Sequence, residues 1–255
     1  MIRITKYVLA DILRNRILLA YCLLLSGFSW TALSLEDSTA KGVLTLVNLM
    51  LLMVPLMAVM FSTIYIYNSA EFIELLVSQP VERSQIWTAL FLGLGSSQGM
   101  VFLVGMGLPL LVFVHESVSL MFLITGFLIS WIFCAIGFLA AVYAKDKARG
   151  IGIAILAWLF FALLYDGLIL FLLYQFSDYP IEKAMVGVVM LSPIDLARIL
   201  LLLHLDVSAL MGFTGAIFKS FFGTISGMVL SFAMLLVWLL VPFSLSLYKF
   251  KNKDL

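Results

Sequence analysis

The sequence has 255 residues, 64% of them hydrophobic and only 11% charged, with a mean hydropathy of +1.17. Soluble domains carry roughly 45–50% apolar and about 25% charged residues, so this composition excludes a soluble globular protein and specifies an integral membrane protein. A net charge of +1 excludes a general electrostatic attraction to nucleic acid.

A membrane-spanning helix needs about 20 apolar residues. Six stretches qualify, at about 17–35, 43–68, 88–114, 118–143, 151–175 and 222–248. Lipid cannot satisfy open backbone groups, so all six are expected to be helices. The expected fold class is all-α, a single polytopic domain over residues 1–255.

The arm before span 1 carries Arg3, Lys6, Asp11, Arg14 and Arg16. No small-residue cleavage site follows the first apolar run, so it reads as a retained span. Cys22 and Cys134 fall inside spans 1 and 4 and read as small buried apolar residues. Along span 2, Met50, Met53, Met57 and Met60 recur at helical spacing and share one face. Thioethers suit Cu(I), but methionine is also a common gap filler, and packing is the favoured reading. No metal site is expected on the chain.

Residues 69–88 interrupt this lipid-soluble pattern with a charged, amphipathic island. Glu71 and Glu74 are three apart and share a helix face, while Phe72, Leu75 and Leu76 lie on another. Pro80 ends that helix. Glu82, Arg83 and Gln85 open the next turn, and Trp87 stands where an interfacial aromatic anchor belongs. Ordinary connections are about 4–6 residues long and lack regular leucines, so the island reads as a handle for a soluble partner.

Span 3 contains Gly95-Ser96-Ser97-Gln98-Gly99, with Gly93, Gly105 and Gly107 nearby. Small residues let helices approach closely, within the bundle or across a dimer, and Gln98 can hydrogen-bond across the contact. Asp166 is the only acid deep inside a predicted span. An uncompensated charge there costs a few kcal/mol, so it should face the bundle or a partner. Two readings stay open: a gate or pathway element together with Tyr165, or a structural acid paired with a hydroxyl such as that of Tyr165.

Residues 176–221 are long for a connection and oddly apolar. The runs Ala184 to Leu191 and Leu196 to Leu205 are each too short to cross, and Ser192-Pro193-Ile194-Asp195 interrupts them. Two short interfacial or re-entrant helices are expected rather than two more spans. Lone His204, with Asp206 close by, reads as a surface residue.

Orientation follows from Lys and Arg near the span ends. Eleven lie on the side of the termini and of the 69–88 island, and four on the other. Both termini are therefore expected in the cytoplasm, with 176–221 outside. The chain has no phosphate-binding Gly-x-x-x-x-Gly-Lys-Ser/Thr loop, no His-Glu-x-x-His and no Gly-x-Ser-x-Gly. A catalytic role on this chain is not expected.

The island 71–86, with Leu75, Leu76, Gln79, Pro80 and Arg83, resembles the loop between the first two spans and span 3 in ABC-2-type transporter permeases. The family's frequent Gly-Thr before the leucines is replaced here by Phe72-Ile73. The resemblance implies a cytoplasmic coupling helix on which Glu71, Glu74, Leu75, Leu76, Gln79, Pro80 and Arg83 engage a separate ABC ATPase. ATP and Mg would then bind that partner, with no cofactor on this chain. It also implies a second copy of the chain in a homodimer, embedded in the inner membrane.

The stretch Ser192-Pro193-Ile194-Asp195-Leu196-Ala197-Arg198, then Leu203-His204-Leu205-Asp206 and Thr214-Gly215-Ala216, is similar to the extracytoplasmic part of NosY-type copper-processing permeases. Tyr165-Asp166 and Arg14-Asn15-Arg16 are similar too. That likeness implies a role in nitrous oxide reductase maturation and a periplasmic copper-handling accessory protein as third partner. Pro193, Asp195, Arg198, His204 and Asp206 would form the contact to it. The alternatives are an ABC-2 exporter of a lipid, peptide or drug, and a membrane scaffold without an ATPase.

Overall fold

The computed structural model describes residues 2–36, 38–114, 117–176, 182–205 and 224–252. These residues form helices and no strands. In chain order they are α1 (Ile2–Leu13), α2 (Arg16–Leu35), α3 (Thr39–Asn68), α4 (Ala70–Val77), α5 (Arg83–Phe102), α6 (Leu108–Phe113), α7 (Ser117–Tyr143), α8 (Lys147–Leu159), α9 (Tyr165–Gln175), α10 (Glu182–Met190), α11 (Pro193–His204) and α12 (Ile225–Lys251). One π-helical turn, Leu103–Gly107, joins α5 to α6, and another, Phe160–Leu164, joins α8 to α9.

Among the described residues six helical stretches are long and apolar enough to cross a membrane. They are Arg16–Leu35, Thr39–Asn68, Arg83–Phe113, Val118–Tyr143, Lys147–Gln175 and Ser226–Lys251. Most begin earlier than the apolar runs suggest, because a polar cap and first turn belong to the helix without being apolar. Ser38 caps span 2 through Lys41 N–H (3.4 Å) and Asp146 caps span 5 through Arg149 N–H (2.8 Å), whereas span 6 begins later than its apolar run, where Thr224 caps it through Gly227 N–H (3.1 Å).

The core lies in spans 2, 3 and 4, whose central windows are 50%, 56% and 67% buried. Spans 1, 5 and 6 are only 22%, 17% and 17% buried and present most of their surface outward. Spans 2 and 4 pack most closely. At Gly137 an added Cβ would meet the Val59 carbonyl oxygen at 2.7 Å, and Thr63 Oγ1 donates to Gly137 O at 3.1 Å. The Gly-x-x-x-Gly of span 3 serves packing inside the chain: a Cβ added at Gly95 would meet the Trp131 ring at 3.0 Å, and one at Gly99 would run into Phe127. Gln98 reaches across to Ser62 Oγ at 3.0 Å.

Helix α1 is absent from the expectations drawn from the apolar runs. It packs on span 3, where Val8 and Ile12 are fully buried and Val8 sits against Gly93. Both termini lie at one end of the bundle. Arg83 Nη1 donates to Lys251 O (3.2 Å), Lys147 Nζ to Asn68 Oδ1 (2.7 Å), and Tyr65 Oη to Asp11 Oδ2 (3.2 Å). These contacts mark the terminal end of the bundle.

The opposite end carries the α10–α11 pair, bent by 112°. Its tip lies deep. Trp238 Nε1 donates to Met190 O (3.2 Å), and Trp238 is thirteen residues into α12, about 20 Å along the helix at 1.5 Å per residue. His204 returns to the rim beside Thr39, Val114 and Val118. The bend makes the pair a helical hairpin, either a broken span or a re-entrant loop.

Candidate functional site

The predicted site residues fall at the two ends of the bundle. At the terminal end, α4 follows span 2 after Ser69 alone, and the Ser69 N–H still bonds to Tyr65 O (2.9 Å). The helix is amphipathic by spacing. Ile73 and Leu76 are buried against the bundle, while Leu75 is 65% exposed. Glu71 and Glu74 are exposed too and have no ion pair among the described residues. The predicted leucine pair therefore splits: Leu76 anchors the helix and Leu75 faces outward. Phe72 packs on Tyr7 of α1, ring centroids 5.6 Å apart.

The helix stops where sequence chemistry says it should. Ser78 Oγ donates to Leu75 O (2.8 Å), and Val81 N–H donates to Gln79 O (2.7 Å), closing a three-residue turn centred on Pro80. Gln79 and Pro80 are exposed. Arg83 opens span 3 and binds the C-terminal end of α12 through Lys251 O. It is thus committed within the chain.

Trp87 corrects the sequence expectation. It is not an interfacial anchor: it is 1% exposed, donates to Ser246 Oγ (3.1 Å) and stacks on Phe250 at 4.2 Å. The apolar partners on α12 and α7 outcompete the membrane boundary for its ring. Between Trp87, Phe250, Tyr67, Val142 and Glu74 lies a cleft of about 100 Å³.

At the other end, Asp166 and Tyr165 do not pair with each other. Tyr165 Oη donates to Val188 O of the hairpin (2.6 Å). Asp166 Oδ2 binds Arg198 Nη1 at 2.9 Å, and the same nitrogen lies 3.5 Å from Asp195 Oδ1. A guanidinium thus bridges Asp166 of span 5 and Asp195 of its own helix α11. The pairing lies about 14 Å inside the end of span 5, counting nine residues from Asp166 to Gln175 at 1.5 Å each. Asp195 Oδ2 and Arg198 Nε are buried without hydrogen-bond partners among the described residues.

Pro193 does not interrupt α11. It occupies the first helical position, where a missing N–H costs nothing, and Ser192 caps the helix by accepting from Asp195 N–H (3.3 Å). Pro193 and Asp195 are buried inside the chain, which leaves Arg198 and His204, both half-buried, closer to the surface. Asp206 lies outside the described residues, as do residues 214–216.

Spans 2 and 5 meet between the two ends. Pro55, inside span 2, lacks the N–H that would bond to the carbonyl four residues back. One turn away, Trp158 of span 5 donates to Leu52 O (3.1 Å). Two residues further along span 5 begins the π-helical turn that leads into Tyr165 and Asp166. Nothing in the sequence marks the Trp158 bond, because it depends on which helices are neighbours. The Asp166–Arg198 pairing had one visible signal: a lone acid in a span demands a cation, and the hairpin segment holds an arginine.

Comparison with known proteins agrees with this architecture. Residues 6–255 match the family model described as ABC-2 family transporter protein. The chain is 28% identical over 230 residues to the probable ABC transporter permease protein NosY of Pseudomonas aeruginosa, covering 82% of this chain and 84% of that protein. It is 27% identical over 218 residues to the protein of the same name from Stutzerimonas stutzeri, covering 77% and 79%. A multi-pass helical bundle matched over nearly its whole length by one family model has a plain reading: the chain belongs to the ABC-2 transporter family and is the membrane permease subunit of an ABC transporter.

Proposed function

We propose that this permease couples a separate ATPase, docked on α4, to the helical hairpin at the opposite face, within a copper-processing system that matures nitrous oxide reductase. The observation that carries the coupling is the free face of α4. Leu75, Glu71 and Glu74 are exposed on a helix held to span 2 by one residue and seated by Ile73 and Leu76. A push on that face reaches span 2 directly.

Span 2 would pass the motion to span 5 through Trp158 and Leu52, and span 5 to the hairpin through Asp166–Arg198 and Tyr165–Val188. Packed helices move as rigid units between discrete arrangements. The terminal end would face the cytoplasm and the hairpin the periplasm, as the Lys and Arg bias suggests. Two copies would form the membrane unit. The similarity to two NosY permeases and the 192–216 stretch support the copper-processing reading, with a periplasmic copper-handling protein as client at the hairpin end.

Co-purification tests the coupling: Glu71→Lys with Glu74→Lys should release the ATPase while membrane insertion stays normal. Undiminished ATPase recovery would refute it. Restoration of copper-loaded nitrous oxide reductase in a permease-deficient denitrifying bacterium tests the client. Failure to restore loading, with the permease and its ATPase assembled, would move the chain to an exporter of another substrate.

A further inference from the structure

A second cavity, of about 180 Å³, opens at the terminal end between the start of span 1 and the end of span 2. It has two chemistries. One wall is apolar and includes Ile17, Met57 and Met60, and the other is polar, from Asn15, Tyr65 and Asn68. What the polar wall offers is settled by bonds already made. Asn15 Oδ1 accepts from Ile17 N–H (2.9 Å), and Asn68 Oδ1 accepts from Lys147 Nζ (2.7 Å). Both donors take the amide oxygen, so each asparagine keeps its whole NH₂ group for another partner.

No acceptor within the described residues takes those NH₂ groups. Arg14 and Arg16 flank Asn15, both exposed and without an ion pair among the described residues. The nearby carboxylate, Asp11, already accepts from Tyr65 Oη at 3.2 Å.

The site therefore offers free amide donors beside an apolar wall, with three cations near it, Lys147 bonded to Asn68 and Arg14 and Arg16 flanking Asn15 in the chain, against the one carboxylate of Asp11. An inorganic anion would satisfy the donors and leave the apolar wall uncovered. A zwitterionic headgroup would bring its own cation toward two arginines. We infer that this cavity binds the phosphate of an anionic phospholipid, with an acyl chain laid against Met57, Met60 and Ile17. Its level fits: Asn15 is the cap at which span 1 begins, the depth of the headgroups. Basic pockets between helices at this boundary recognise anionic lipids through such donors.

The test uses the purified full-length chain in neutral detergent, with phosphatidylglycerol and phosphatidylcholine as probes, read by native mass spectrometry and thermal unfolding. The wild type should retain phosphatidylglycerol over phosphatidylcholine, and its midpoint should rise with the former alone. Asn15→Asp with Asn68→Asp keeps the helix cap and the Lys147 bond but turns both donors into acceptors. That variant should bind phosphatidylglycerol about tenfold more weakly, with phosphatidylcholine retention unchanged. Should it fold poorly, Arg14→Gln with Arg16→Gln supplies the same reading from the surface. Equal phosphatidylglycerol retention in wild type and folded variants would overturn the proposal. So would an equal rise in midpoint with inorganic phosphate alone, which would assign the site to a free anion.

Discussion

Replacing Arg198 with methionine tests the charge assembly that ties the hairpin to span 5. Methionine keeps an unbranched apolar stem and removes the guanidinium. The two ion pairs that this change breaks are unequal. Asp166→Asn takes away the acid's charge together with its pair, leaves Arg198 its Asp195 partner and keeps an amide oxygen that accepts from the guanidinium, so it should cost about 1–2 kcal/mol. The Asp195 side chain is 5% exposed, and stripping the partner from a buried charge costs about 3–5 kcal/mol. Arg198→Met should therefore destabilise the chain by about 3–5 kcal/mol, and Asp166→Asn by only about 1–2 kcal/mol. Asp195→Asn should rescue much of the Arg198→Met loss, because the buried charge disappears with its partner. Denaturant unfolding in mild detergent, arranged as a double-mutant cycle, measures all of these. Equal losses for Arg198→Met and Asp166→Asn, or no rescue, would refute the claim that Asp195 is the buried, dependent partner.

Three further outcomes are expected. Leu75→Asp should leave unfolding within about 0.5 kcal/mol of wild type, since the side chain is exposed, yet lower ATPase recovery on co-purification; an unaltered complex would exclude Leu75 from the ATPase interface. Met53→Leu with Met57→Leu should preserve nitrous oxide reductase copper loading in the cell-based assay, as a volume-conserving swap in packing costs under about 1.5 kcal/mol; loss of loading with normal protein levels would make the thioethers functional. Gly137→Ala should cost about 1–3 kcal/mol, because its Cβ meets the Val59 backbone oxygen. Gly152→Ala, with open space around its Cβ, should be neutral or stabilising by up to about 1 kcal/mol. The reverse order in thermal unfolding would contradict the close packing of spans 2 and 4.

The spans were legible because lipid imposes one rule on every residue of a crossing helix. Their starts were legible only loosely, since Ser38, Asp146 and Thr224 are polar residues that begin helices rather than end apolar runs. Helix α1 hid among the charges of the arm, although Val8 and Ile12 stand four apart on one face. A break between two short apolar runs was legible from Ser192-Pro193, and the first of these helices does end at Met190 and the second begin at Pro193, but the sequence did not show that Ser192 and Pro193 belong to the start of the second helix. Trp87 was misplaced because its ring is amphipathic, and amphipathy suits a membrane boundary and a buried hydrogen bond to Ser246 equally well. The island's outward and inward leucines could be separated only once α4 had a floor to sit on.

The separation of Asp166 and Arg198 along the chain shapes how the protein is made. Thirty-two residues divide them (166 to 198), and synthesis at about 5–20 residues per second leaves the acid waiting roughly two to six seconds for its arginine. During that interval span 5 carries an unmatched carboxyl, a burden of about 2.5–3.5 kcal/mol at a helix centre. Its mean hydropathy of 2.3 lets the nascent span enter the bilayer regardless. The hairpin then arrives as the piece that completes its charge.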